Sequence, residues 1–568
     1  MVETLDDVTS AVETLRAQVE RLEHRVAELE AHPRPAPHDR SRADEVETLR
    51  VPALPQGGLA LAGRSLLVLA GAYLIRALTD AAALPAPAGV ALGLLYAAFW
   101  QLLADRDGQA GRRASATLHG LAASAIAFPL IWETTVRFGL LGGPTAGAAV
   151  FVVALLGLTV SWRHHLSASA WLTTLAACAT VLALLVSTHQ PVTAVLTLLA
   201  IAASLEWLAF HDAWLGLRWC VAAALDGVAV LLVAIGSRPE PPQSYAGLDG
   251  SEAAAALLAL PALYVTSVAA RTLRRGCPVK LFEVVQGTLA TALGFAGAAR
   301  VLAAHGRASD LPAFLAVALG ALCYAVAFAH AERRPGQGRN FYFYSTAGGL
   351  LMLGGTLELG LGAGLTLVWT GLGLAAVGLG RRFGRTTLRT HGALYLLAAA
   401  FGAGLTSAGA RALAGLAPGE LPRLSWAVAV GAAVAWGVLA GERAAARPAS
   451  ARLPRLLLAL VAVLSLAEAA RVALDVAFGS RLALDAGAEA VARSAVLVAL
   501  ALGLAWLTRR GQPELAWLVY PLVAVGAVKL LLNDVRTGRP ATLVVSLGLY
   551  GSLLILLPRL LKARERSG

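Results

Sequence analysis

The chain has 568 residues, 57% of them hydrophobic and only 14% charged, and its mean hydropathy of +0.67 excludes an ordinary soluble globular protein. The formal net charge is +12, but the basic residues gather in short loops between apolar runs. That placement excludes a nucleic-acid-binding reading and makes them topology signals, so the composition predicts an all-α polytopic integral membrane protein with membrane lipids as its surroundings.

Residues 1–31 come first. Leu5, Val8, Val12, Leu15, Val19, Leu22, Val26 and Leu29 are spaced alternately three and four apart, which is an unbroken a/d heptad seam. After the first heptad Val occupies a and Leu occupies d, the choice that favours a parallel pair, and Arg25 at g faces Glu30 at e of a partner strand. The expectation is a cytoplasmic coiled coil that forms a homodimer through residues 5–29. The other reading is a helix lying on the membrane surface or on the chain's own loops. The first residues, MVETLDDVTS, carry neither a basic n-region nor an apolar h-region, so no cleavable signal peptide is expected. Residues 32–57 contain HPRPAPHDRSR, a Pro-rich polar linker that cannot continue the helix.

From residue 58 to 561, apolar runs of about 20 residues recur with short Arg-, Gly- and Pro-rich connections, which predicts about 18 spans. With the N-terminus placed in the cytoplasm, the even-numbered connections and the tail 562–568 hold roughly 26 basic residues against about 10 in the odd-numbered ones. Both termini are therefore expected in the cytoplasm. Trp100, Trp162, Trp171, Trp207, Trp214, Trp219, Trp506 and Trp517 all fall at ends assigned to that side, where an amphipathic ring prefers to lie. Small residues inside spans, as in GLGLAAVGLG from Gly371 to Gly380, predict close packing of helix backbones. Gly360, Gly362 and Gly364 are read the same way, not as a phosphate loop.

Enzyme chemistry finds little footing. There is no HExxH, no P-loop lysine motif, and no GxS nucleophile turn with a matching histidine, so the chain is read as a non-enzyme with no cofactor. Asp105 and Asp107 are read as part of a solvated cytoplasmic loop. His164 and His165 are adjacent, diverge on a helix, and find no carboxylate in the nearby sequence. Cys178, Cys220, Cys277 and Cys323 have no CxxC spacing, so neither a disulfide framework nor a zinc site is predicted. Glu133 and Arg137 are expected to pair at i, i+4, while Asp226, Arg300 and Glu358 stand as isolated charges.

The densest intramembrane charge lies in three consecutive C-terminal spans. Glu468, Arg471 and Asp475 share one helix face, and Asp485, Glu489 and Arg493 recur at four-residue intervals on the next span. Lys529, Asn533 and Arg536 share a face of the third, while Asp534 lies about 140° around the helix from Lys529. Counting from the outer turns, Glu468 and Arg493 lie roughly 12 Å deep, and Arg471, Glu489 and Lys529 roughly 7 to 10 Å. A charge at the bilayer centre costs on the order of 2.5 to 3.5 kcal/mol, so these groups should face one another. One reading is a structural network, with Glu468 paired to Arg493 and Arg471 to Glu489. The other is an outward-facing polar cavity in which Lys529 and Arg536 meet an anionic headgroup or sugar phosphate.

The coiled coil, the linker, a first span opening with Gly63 and Arg64, and a long series of spans together resemble the bacterial membrane proteins of domain of unknown function family 2339. Those proteins finish with a Lys-x4-Asp element and a Gly-containing last span. Here the corresponding residues are Lys529, Asp534 and Gly548 in LVVSLGLYGSLLILLPRL. The chain departs from that pattern in having few Phe and Met and many Ala. The resemblance implies the bacterial cytoplasmic membrane and no particular activity. Two functions are therefore expected from different classes. One is the binding or transport of a lipid-linked or amphiphilic anion of the cell envelope, and the other is a non-transporting scaffold that dimerises through residues 5–29 and recruits envelope partners.

Overall fold

A chain this apolar must satisfy its backbone polar groups internally, and helices do so within each segment. The computed structural model describes residues 16–18, 20–21, 68, 70–332, 338–416, 421–441, 452–478, 486–534 and 540–562. Among these the ordered elements are helices and there is no strand. Apart from the helical residues 16–18 and 20–21, where Arg16 and Glu20 pair at 3.6 Å, the coiled coil lies outside the described residues. So do the linker, Gly63, Arg64, Asp485, Arg536 and nearly all of the basic tail.

We number the membrane-domain helices in chain order. Residues 70–80 form α1, followed by α2 (Ala86–Gln109), α3 (Arg113–Val136), α4 (Gly143–His164), α5 (Ser167–Thr188) and α6 (Pro191–Phe210). Next come α7 (Leu217–Gly236), α8 (Gly250–Arg274), α9 (Leu281–Ala304), α10 (Leu311–Ala331), α11 (Gly338–Glu358) and α12 (Ala363–Arg382). The last are α13 (Thr386–Gly402), α14 (Leu405–Ala414), α15 (Ser425–Ala440), α16 (Arg452–Phe478), α17 (Ala486–Arg509), α18 (Pro513–Leu532) and α19 (Pro540–Lys562). Among the described residues, 14 helices are long and apolar enough to cross a membrane, or 15 with α13 and α14 counted as one span bent by 72°. The chain is an all-α polytopic protein.

Helix ends follow ordinary capping rules. Pro stands at the first turn of α2, α4, α6 and α10, where its missing N–H costs nothing. Asp249 caps α8 by accepting from the Ser251 N–H at 2.6 Å and the Glu252 N–H at 3.3 Å. Those two bonds hold its carboxyl below the usual aspartate range.

An apolar core running through α3 to α9 holds Phe128, Leu158, Leu198, Leu225, Leu257 and Val301. A second core joins α14, α16, α17, α18 and α19 around Leu413, Ala467, Leu497, Val519 and Leu553. Between α12 and α13 the backbones approach as the small residues predict. A Cβ on Gly373 would stand 3.0 Å from the Gly392 carbonyl oxygen, and one on Gly392 would stand 2.7 Å from that of Gly373. Gly320 and Gly348 bring α10 and α11 together in the same way, at 3.1 and 3.0 Å. Gly360 and Gly362 instead have positive φ in the turn before α12.

Two charge placements differ from expectation. Glu133 does not pair with Arg137. Its Oε1 meets Nη2 of Arg76 on α1 at 2.7 Å, and Arg137 reaches Oδ1 of Asp80 at 2.9 Å. The cross-helix arrangement wins because α1 supplies one opposite charge to each member, whereas an i, i+4 pair would leave Arg76 and Asp80 to each other at 3.9 Å. Asp105 and Asp107 are not in a solvated loop either, since both lie in the last two turns of α2. Asp105 Oδ1 meets His164 Nε2 at 2.7 Å, and buried Asp107 meets Arg112, Ser115 and, at 3.4 Å, His119. His164 therefore has a carboxylate partner, although it comes from 59 residues away. His165 ends α4 in the left-handed region at φ 57°.

Candidate functional site

The C-terminal charges come together around a broken helix. α13 stops at Gly402, Gly404 turns the chain at φ 72°, and α14 leaves at a 72° bend. The carbonyl of Ala403, freed by the break, accepts from the buried Ser425 hydroxyl at 2.8 Å. α14 then lies directly on α16, where a Cβ on Gly409 would stand 2.4 Å from the Leu464 carbonyl oxygen. Its other end closes at Gly415 with φ 74°, whose carbonyl accepts from Arg493 Nη1 at 2.9 Å. A cation at that position also complements the negative end of the helix dipole.

Glu468 sits one turn beyond Leu464 on α16 and is 1% exposed. It is held by Arg471 through two bonds, Nη2 to Oε1 at 2.6 Å and Nε to Oε2 at 3.0 Å, and Arg471 also bonds Asp475. On α17, Arg493 bonds Glu489. The expected cross-helix pairs, Glu468 with Arg493 and Arg471 with Glu489, are therefore replaced by pairs within each helix. The spacing that put the charges on one face also put them within reach of each other, which costs no interhelical fit. Between helices, Arg493 reaches a carbonyl at the end of α14, and Lys529 reaches neutral acceptors on α17. Lys529 is 3% exposed, and its Nζ donates to the Ala490 carbonyl at 3.0 Å and the Ser494 hydroxyl at 2.8 Å. Asp534 lies in the π-helical turn Leu530–Asp534, with its side chain and all of Arg536 outside the described residues.

A more tightly closed polar site lies at the opposite ends of α6 to α9, and the sequence reading passes over it. Glu206, Arg218, Arg271 and Glu283 are all buried. Glu206 Oε1 accepts from Arg218 Nε at 2.8 Å, and its Oε2 accepts from Ser267. Glu283 Oε1 accepts from both terminal nitrogens of Arg218, at 3.1 and 3.2 Å, and lies 3.6 Å from Arg271 Nε. Its Oε2 takes the Lys280 N–H at 2.7 Å, and Arg271 Nη1 donates to the Ala209 carbonyl at 3.2 Å. Arg218 also stacks over Phe282, 4.0 Å from the ring centre. Two carboxylates and two guanidiniums leave the quartet neutral. A signal existed in the chain: four consecutive spans carry charge within about a turn of the same end, in the order acid, base, base, acid.

Among the described residues no group of His, Cys, Asp and Glu has a metal-holding arrangement. No protein-family profile, curated protein or solved structure matches this chain.

Proposed function

We propose that this chain binds or moves a lipid-linked or amphiphilic anion of the bacterial envelope, at the outer ends of α14, α16, α17 and α18. The observation that carries this reading is the discontinuous span α13–α14, bent by 72°, bonded at its far end by Arg493 and packed on α16 one turn from the Glu468–Arg471 pair, with buried Lys529 joining the neighbouring α18 to α17. Broken helices at membrane depth are tolerated where backbone and charge line a binding place, and transporters use them so. We read the chain as about 18 spans in the bacterial inner membrane with both termini cytoplasmic. Supporting that count, α1, α11 and α15 stand beside the fourteen long spans and the bent pair. Trp171, Trp207, Trp219, Trp506 and Trp517, all assigned to cytoplasmic ends, are at least two-fifths exposed, as rings at a lipid headgroup layer would be. The resemblance to the family 2339 proteins fits the same reading.

Native mass spectrometry of the gently purified protein tests it. The wild type is expected to carry a bound anionic amphiphile that Lys529→Ala loses while membrane protein level is kept. A bare wild type, or equal retention by the variant, overturns the proposal, and disappearance of Lys529→Ala from the membrane makes Lys529 a structural strut. The same spectra read the scaffold alternative as a dimer mass that depends on residues 5–29.

A further inference from the structure

Asp226 is the tenth residue of α7, a 20-residue helix, and therefore lies about 14 Å from either end, at the level of the bilayer centre. A carboxylate there is among the most costly groups a span can hold, and such residues are normally answered by a cation. Among the described residues Asp226 forms no ion pair. Its polar contact is a neutral one: Gln286 Nε2, 2% exposed on α9, donates to Asp226 Oδ1 at 3.0 Å. The bases nearest along the polar layer, Arg218 and Arg271, are already committed to Glu206 and Glu283.

The helices packed on α7 carry these titratable groups: Glu206 on α6, Tyr264 and Arg271 on α8, Glu283 on α9 with Gln286 beside Asp226, and the Cys178 thiol of α5 beside Cys220 of α7 itself. Arg300, exposed on α9, and Glu252, exposed on α8, stand toward the far ends of their helices. Tyr264 is buried and lies within electrostatic reach of Glu206, Arg218, Gln286 and Asp226. A line of titratable groups thus runs from the surface pair Arg275–Asp212, at 3.1 Å, through Arg271 and the quartet to Tyr264 and Asp226.

We propose that Asp226 is a reversible proton-binding site at the middle of the membrane, exchanging its proton with the face that carries Asp212 and Arg275. The protonated acid removes the charge that the span cannot otherwise answer, while Gln286 serves the remaining carbonyl oxygen. Tyr264 and the carboxylates of the quartet supply donors and acceptors between the carboxyl and water. The site stands apart from the α14 region and does not depend on what binds there.

A lipophilic carbodiimide is the probe, because it reacts with protonated carboxyls reached from the lipid phase. Full-length protein in its membranes is treated with dicyclohexylcarbodiimide across a series from about pH 6 to about pH 9, and adducts are mapped by mass spectrometry. Asp226 is expected to be labelled at least about five-fold more at the acidic end than at the alkaline end, whereas arginine-paired Glu206 and Glu283 stay unlabelled. Asp226→Asn, which mimics the neutral acid in shape, should keep membrane protein level and lose the adduct on that peptide. No adduct on Asp226 overturns the proposal, as does labelling that is equal at both ends of the series or equal on Glu206 and Glu283. The wild-type profile decides the matter even where a variant fails to accumulate.

Discussion

Arg218→Met is expected to lower the stability of the folded chain by about 3–5 kcal/mol, the usual cost of removing one partner from a buried ion pair. The methionine replaces most of the volume, so the loss is electrostatic. Arg218 makes three bonds to two buried carboxylates. Without it Glu206 keeps only Ser267, and Glu283 keeps Arg271 at 3.6 Å and the Lys280 N–H. Two buried negative charges then face one guanidinium. Lysine should rescue little, because a single ammonium cannot bridge both acids as the planar fork does. Adding Glu206→Gln to Arg218→Met should recover part of the loss, since it restores charge balance around Glu283. Thermal unfolding in detergent, followed by tryptophan fluorescence, measures all three variants. A loss under about 1 kcal/mol for Arg218→Met would mean that water enters the quartet.

Gly392→Leu should be nearly as damaging, through volume alone. Its first side-chain atom would meet the Gly373 carbonyl oxygen at 2.7 Å and the Val377 nitrogen at 2.8 Å. Both are backbone atoms of α12, so no rotamer change relieves the clash and the two helices must separate. Overpacking of this kind costs about 1–3 kcal/mol even where side chains can yield, and here they cannot. The control sits in the facing helix: Gly371 and Gly378 have nothing within 4 Å of an added Cβ. Gly371→Leu should be neutral or slightly stabilising, because glycine is a poor helix former. Equal melting temperatures for Gly392→Leu and Gly371→Leu would sink the close-packing account.

Helix content and the use of glycine were both legible, and for the same reason. A span needs about 20 apolar residues whatever surrounds it, and GLGLAAVGLG sits in one. Which of its glycines touch a neighbour was not legible, because Gly373 and Gly380 pack whereas Gly371 and Gly378 do not. The charges behaved likewise. Spacing placed Glu468, Arg471 and Asp475 on one face, yet it does not say whether a charge reaches along that face or across to another helix. Along won for Arg471, and across won for Glu133, whose partner comes from α1. The quartet escaped because its members come from four different spans and become a site only when α6, α7, α8 and α9 meet. The break after Gly402 hid in an apolar stretch, FGAGLTSAGARALAG, that reads as continuous.

α14 carries a cross-helix hydrogen bond at each end, Ser425 to the Ala403 carbonyl and Arg493 to the Gly415 carbonyl, each at or beside a glycine of positive φ. Such a segment works as a latch on two pins. Releasing either pin loosens one end of a ten-residue helix, which Gly409, packed on α16, and Leu413 in the core still hold in place.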